Sequence, residues 1–271
     1  MTSIIYRAIF RLKKFLKGIL TFTYQTRLLE AVKKGEIPKH LGVIVDGNRR
    51  HAKKLGLPVT DGHKIGKKTL HSFLDWCDEL KIPVVTLWLF STQNYSRSEE
   101  EVKTLMNLIL EEVERMVNDS EMKAKEIRVK VIGRKELLSD EVRQGLEKLE
   151  MSTASRTGRL IQLAISYGGR EEIVDAVKGY LEECERNGVS LTEARAGFSE
   201  IELAKNLYNA TVLDPDFVIR TSGEIRLSGF LLWQSAYSEF YFLDANWPAF
   251  RKIDFLRAIR SFQQRSRRFG K

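Results

Sequence analysis

Short apolar runs alternate with segments of helical spacing along most of the chain, and this alternation restricts the fold more than any other feature. The runs are Leu41–Val45, Val84–Phe90, Ile127–Ile132, Leu160–Tyr167, Asp216–Arg220 and Glu239–Phe242. Helical patterns occupy 64–81, 99–117, 135–150, 171–185, 199–209 and 253–262; in the first, Ile65, Leu70, Phe73, Leu74, Cys77 and Leu80 recur at helical spacing. Most of the strand runs are apolar rather than strictly alternating, and Val84–Phe90 is nearly continuous, as expected for strands covered on both faces. The expected fold is therefore α/β, a single domain with a mostly parallel central sheet flanked by helices. No linker rich in Pro, Gly or Ser divides the chain and no repeat is visible. The 271 residues suffice for a substantial core.

Charge is concentrated at the ends. Residues 1–36 carry eight basic side chains against Glu30 and Glu36, and 251–271 carry eight against Asp254, so the body between them is net acidic although the chain totals +9. A nucleic-acid-binding domain usually carries its basic face on the folded body, so no nucleic-acid partner is expected. The segment 1–36 reads as a basic N-terminal extension to a domain spanning 37–271. Within it, Ile5, Ile9, Leu12, Phe15, Leu16, Ile19 and Leu20 fall on one helical face. Such an amphipathic helix suits either an anionic membrane surface or the protein's own core. Arg7, Arg11, Lys13, Lys14 and Lys17 interrupt any signal-peptide or membrane-spanning run. Cys77 and Cys184 read as buried thiols of a reducing compartment. The expected location is cytoplasmic, with peripheral membrane contact as the open alternative.

In parallel sheets ligands bind beyond the carboxyl ends of the strands. The first run is followed by Asp46-Gly47-Asn48-Arg49-Arg50, the second by Ser91, Asn94 and Arg97, and the fifth by Ser222, Gly223, Glu224, Arg226 and Ser228. Arginine, serine, asparagine and glycine with a few acids suit several phosphates and a divalent cation. Single motifs do not explain them. Gly62-His63-Lys64-Ile65-Gly66-Lys67-Lys68 is one residue short of a P-loop, has Lys68 at the Ser/Thr place and follows no strand directly. Position 48 is Asn where an aspartate-nucleophile phosphatase needs its second Asp. No GxGxxG, HExxH or Ser-His-Asp pattern stands out, and His40, His51, His63 and His71 are too scattered for a histidine-ligated metal.

In order along the chain stand Val45-Asp46-Gly47-Asn48-Arg49-Arg50, Gly62-His63, Phe90-Ser91-Thr92-Gln93-Asn94-Tyr95-Ser96-Arg97, Tyr167-Gly168-Gly169-Arg170, the segment from Ile219 to Ser228, Phe230-Leu231-Leu232-Trp233-Gln234 and Ser238-Glu239. From Pro38 to Gly270 the chain closely resembles the cis-prenyltransferases, the undecaprenyl and dehydrodolichyl diphosphate synthases. Its Arg-Arg after Asp46-Gly47-Asn48 looks more like the archaeal and eukaryotic branches. The resemblance implies a Mg2+-dependent enzyme that condenses isopentenyl diphosphate with an allylic prenyl diphosphate, extending a Z-polyprenyl chain along a hydrophobic product tunnel. It implies Asp46 and Glu239 as metal contacts, with Asp46 and Asn94 catalytic. Gly47, Asn48, Arg49 and Arg50 would wrap the allylic diphosphate near His63. Arg220, Arg226 and Ser228 would clamp isopentenyl diphosphate, with Ser91 and Arg97 beside Asn94. It further implies a homodimer, with the C-terminal Arg268-Phe269-Gly270 reaching toward the active site across the interface.

The chain departs from the bacterial pattern at Val59, where an Arg is common, at Ile225, where a His is common, and at Gln93, where a Glu is common. Leu89 stands where long-chain members tend to have Ala, implying a product of short to medium length. Other diphosphate-handling transferases and phosphatases compete within enzymes, and a non-catalytic activating subunit competes outside them. Retention of Asp46, Arg220, Arg226 and Ser228 favours an active enzyme.

Overall fold

The computed structural model describes residues 21–265. The amphipathic pattern from Ile5 to Leu20 and the Arg268-Phe269-Gly270 pattern lie outside them. Residues 21–33 are helical (α1). Val32 is buried, Leu28 and Leu29 pack against the main core, and the Val32 carbonyl accepts from Nε2 of Gln263 at 2.7 Å. This stretch of the N-terminal segment is thus docked on the domain.

The chain continues through β1 (His40–Ile44), α2 (Asn48–Leu55), α3 (Val59–Glu79), β2 (Val84–Ser91), a 3-10 turn at Thr92–Ser96, α4 (Glu99–Asn118), α5 (Ser120–Ala124) and β3 (Arg128–Ile132). Then come α6 (Asp140–Thr153), β4 (Leu160–Tyr167), α7 (Gly169–Arg186), α8 (Leu191–Gly197), α9 (Glu200–Lys205), β5 (Phe217–Arg220), β6 (Glu239–Phe242) and α10 (Lys252–Gln263). The strands form one sheet in the order β3-β4-β2-β1-β5-β6, and every pairing is parallel. The expected α/β architecture is therefore present, entirely parallel among these six strands.

Three of the expected helices differ from their sequence expectation, the one expected from Lys64 by starting at Val59. The segment expected to be helical from Lys135 begins its helix at Asp140: residues 135–137 form a 3-10 turn and Leu138 is extended. Asp140 and Glu141 then occupy the first turn of α6, where acidic groups favour the helix dipole. The helix expected over 199–209 stops at Lys205, with Asn206 as its C-cap. Cys77 is buried, whereas Cys184 is only partly so.

The main core lies between the sheet and α3, α4, α6 and α10. Phe73 is at its centre, with Trp247, Phe250 and Phe255 around it at ring-centroid distances of 5.6, 6.3 and 5.4 Å. Aromatic packing of this kind adds to the burial of large apolar surface and fixes α3 against the sheet. The strand order puts the carboxyl end of β1 between those of β2 and β5, so three of the polar clusters meet at one place. The register of β2 on β4 shifts between Trp88 and Phe90, which leaves Leu89 as the extra residue of a bulge. Bulges re-aim side chains, and this one sits at the mouth of the site.

Candidate active site

A cleft of about 700 Å³ opens at the carboxyl ends of β1, β2 and β5. Asp46, Gly47, Asn48, Arg49, Arg50, His63, Ser91, Asn94, Arg97, Arg220 and Ser228 all line it, as do Val59, Leu89 and Gln93. Almost every residue singled out in the sequence is therefore brought together.

The backbone of Asp46 is pinned. Its N–H donates to Thr221 Oγ1 at 3.0 Å, Thr221 Oγ1 donates to its carbonyl at 2.6 Å, and the Trp247 backbone N–H donates to the same carbonyl at 2.9 Å. Gly47 then turns the chain into α2 with φ of 106°, a left-handed conformation that costs a side-chain-bearing residue far more. A Cβ there would meet the Cα of Asn246 at 2.9 Å. No side chain caps α2 and no acid occupies its first turn. Its leading N–H groups and positive dipole end thus remain available to an anion at the cleft.

The Asp46 carboxylate is held by two arginines. Arg220 Nη2 donates to Oδ2 at 2.9 Å and Arg50 Nη2 donates to the same atom at 3.2 Å. Burial pushes the carboxyl up, but hydrogen bonds from Arg220 and Ser222 and the charges of Arg50 and Arg220 outweigh it, so the group stays ionised below its ordinary value. Arg220 is 5% exposed. Its Nη1 donates to Ser228 Oγ at 2.8 Å and to the Arg226 carbonyl, while its Nε is buried without a partner. Arg220 thereby joins the Asp46 end of β1 to the loop after β5, where Ser222, Gly223, Ser228 and Gly229 have positive φ.

On the opposite wall, Asn94 Oδ1 accepts from the Ser91 N–H at 3.1 Å, closing the 3-10 turn. Arg97 Nη1 donates to Glu101 Oε1 at 2.8 Å, and His63 Nε2 lies 3.2 Å from the same oxygen. Burial lowers the His63 pKa, with the charges of Arg97 and Arg49 acting in the same direction and Glu101 opposing.

Behind the cleft lies an apolar slot of about 100 Å³ between α3, α4 and the sheet. Leu89, Leu105, Val45 and His63 line both spaces, so the polar cleft leads into the apolar slot at Leu89.

A family model described as "Putative undecaprenyl diphosphate synthase" matches residues 44–270. The chain belongs to the cis-prenyltransferase family. An isoprenyl transferase of Thermus thermophilus is 55% identical over 252 residues, covering 93% of this chain and 96% of the relative. A tritrans,polycis-undecaprenyl-diphosphate synthase (geranylgeranyl-diphosphate specific) of Thermococcus kodakarensis is 44% identical over 267 residues, covering 98% and 100%. The crystal structure of lavandulyl diphosphate synthase from Lavandula x intermedia in complex with dimethylallyl diphosphate superposes with a TM-score of 0.78 at 31% identity, covering 86% of this chain and 98% of that one. Relatives thus come from bacteria and archaea alike. This cis-prenyltransferase is an enzyme of isoprenyl chain elongation.

Two expected site residues stand apart from the cleft lining of the cis-prenyltransferase. Arg226 is exposed and pairs with Glu224. Glu239 opens β6, in register with Phe217 at the amino end of β5, whereas Asp46 follows the opposite end of the sheet. Its carboxylate accepts from Arg265 Nη1 at 2.6 Å. Three further residues belong to the site. Lys53 lines the cleft one helical turn after Arg49. Glu101 is 8% exposed and holds Arg97 and His63; its i+4 spacing from Arg97 is a signal readable in sequence. Thr221 has no such signal, because only the fold brings it to Asp46.

The Gly62–Gly66 segment is part of α3 and packs against α2. A Cβ on Gly62 would lie 2.3 Å from the Asn48 carbonyl oxygen, and one on Gly66 would lie 2.2 Å from Asn48 Oδ1. These glycines let two helices meet, which explains the resemblance to a phosphate loop without its function.

Proposed function

We propose that the protein condenses isopentenyl diphosphate with an allylic prenyl diphosphate in a Mg2+-dependent reaction, giving a Z-polyprenyl diphosphate of short to medium length. The observation that carries this reading is one cleft holding an ionised carboxylate, an uncapped helix N-terminus and several arginines, continuous with an apolar slot. Diphosphate heads fit the first part and a prenyl tail fits the second.

Among the described residues no three His, Cys, Asp or Glu groups gather as a metal cage. Asp46 is a single carboxylate, which suits Mg2+ bound through one or two protein carboxylates plus substrate phosphates. Bound there, the ion would neutralise diphosphate charge as the allylic C–O bond breaks. Gly47, Asn48, Arg49 and Arg50 bind the allylic diphosphate at the N-terminus of α2, with Lys53 adding positive charge and His63 nearby. Arg220, Arg226 and Ser228 take the isopentenyl diphosphate, while Ser91, Asn94 and Arg97 line the space where the new C–C bond forms. A metal contact from Glu239 requires a second copy of the chain, because within one chain it lies at the other end of the sheet. That role is therefore tied to a homodimer.

Residues 37–271 form the catalytic unit in this reading. Among the described residues no helix is long and apolar enough to cross a membrane. Peripheral contact through the basic N-terminal segment is part of the proposal, in a cytoplasmic setting. The name of the Thermococcus relative makes geranylgeranyl diphosphate one primer to try. Leu89 at the neck of the slot supports a product shorter than undecaprenyl.

Incubation with radiolabelled isopentenyl diphosphate, Mg2+ and a series of allylic primers, followed by product sizing, tests the assignment. Polyprenyl products that vanish with a chelator are expected. No product from any primer would overturn it.

A further inference from the structure

Charged side chains pair across the boundary between α3 and α4 beside the apolar slot. Lys67 of α3 lies 2.9 Å from Glu111 Oε2 of α4. His71, one turn further along α3, lies 2.7 Å from Glu112 Oε2 through its Nε2. Arg115 fixes the other oxygen of Glu112, donating from Nε at 2.9 Å and Nη2 at 2.7 Å. Glu112 is 9% exposed, and together with Lys67 it lines the slot among Leu70, Leu108 and Met116. None of these charged groups lines the polar cleft, so the proposed chemistry gives them no role.

The slot's volume makes the seam consequential. An apolar cavity of about 150 Å³ takes one benzene ring. A slot of about 100 Å³ therefore takes roughly one five-carbon isoprenyl unit, and a growing chain soon needs more. The sheet wall is hydrogen-bonded strand, and the Phe73 side of α3 is locked into aromatic packing. The α3–α4 boundary is the wall that can part. An apolar boundary yields little by little, whereas hydrogen-bonded ion pairs are either made or broken, which gives two discrete arrangements.

We propose that the Lys67–Glu111 and His71–Glu112–Arg115 seam is a latch between α3 and α4 that limits widening of the slot and so helps set product length. These are specificity-determining residues that touch neither diphosphate. The proposal rests on reading the slot as the path of the growing chain.

The test is product sizing for wild type, Lys67→Met, Glu111→Gln and Glu112→Gln, with Leu89→Ala alongside, and for wild type over a salt series. Loss of the latch is expected to shift the product distribution upward by at least one isoprenyl unit. Added salt, which screens the partly exposed pairs, is expected to lengthen wild-type products and to have a smaller effect on those of Glu112→Gln, which keeps only the Lys67–Glu111 pair. If Leu89→Ala lengthens products while the seam variants and salt do not, the latch is wrong and the slot reading stands. If no variant changes length, Leu89→Ala included, the slot reading fails and the latch fails with it. Should Glu112→Gln not fold, Lys67→Met and the exposed Glu111→Gln decide the matter, and unchanged lengths in both overturn the latch.

Discussion

Arg220 donates from Nη2 to Oδ2 of Asp46 across 2.9 Å, from a guanidinium only 5% exposed. The pair joins the strand end that carries the proposed metal carboxylate to the loop that carries Ser228. The Asp46 and Ser228 sides of the cleft thus share one buried cation, and a change at Arg220 reaches further than a change at an exposed arginine.

The first prediction separates the two arginines expected to clamp isopentenyl diphosphate. Arg226→Ala should raise KM for isopentenyl diphosphate with little change in kcat, because Arg226 is exposed and touches only Glu224 and its own loop. Arg220→Ala should also lower kcat, because Asp46 and Ser228 lose a shared partner. Asp46 would keep Arg50 as a partner, but the buried arginine's own contacts would be lost, so the thermal midpoint should fall as well. Steady-state kinetics with calorimetry checks both; equal effects in the two variants would remove the distinction.

A second prediction concerns the helix contact under the site. Gly62→Ala places a methyl 2.3 Å from a backbone oxygen of Asn48, which yields only if α2 moves. Overpacking of this kind costs about 1–3 kcal/mol, and the shift carries Arg49 and Arg50 with it. Urea unfolding should show the loss, and KM for the allylic substrate should rise. In Gly66→Ala the methyl meets a side-chain oxygen at 2.2 Å, so the penalty should be smaller. The reverse order would contradict this packing.

A third prediction follows from His40. It is fully buried, with Nδ1 at the Leu213 carbonyl and Nε2 2.7 Å from Thr86 Oγ1. Burial lowers its pKa from 6.5 to about 4, against the opposing pull of Leu213 and Asp216. The unfolded chain therefore takes up a proton near 6.5 that the folded chain refuses until about 4. Stability is complete above the upper value and falls as pH drops through this window, by about 3 kcal/mol in total. His40→Gln should flatten that part of the stability curve. Urea midpoints measured above and below the window decide it, and an identical slope in wild type and variant would exclude His40 as the source.

The sheet was readable because most of its strands are largely apolar runs: Leu160–Tyr167 and Glu239–Phe242 coincide with the observed strands. α2 was not readable as a helix from periodicity, since only Ala52 of its residues is buried and it carries no apolar stripe. The candidate site was legible because strand ends in a parallel sheet converge, which brings Asp46, Ser91 and Arg220 together. Glu239 shows the limit of that reasoning. Its block follows the Arg220 block in sequence, but it opens its strand where Asp46 follows one, a matter of register that composition does not reveal. The α3–α4 seam escaped for a similar reason: Lys67 and Glu112 look like ordinary surface charges until the two helices are set side by side.

Turnover of Asp46→Ala measures most directly whether Asp46 serves the departing diphosphate. With isopentenyl diphosphate, an allylic primer that wild type uses and saturating Mg2+, the variant should lose about a hundred- to a thousandfold in kcat, the scale of removing one transition-state charge interaction. A folded Asp46→Ala protein that elongates the primer within a few-fold of the wild-type rate would remove Asp46 from the reaction.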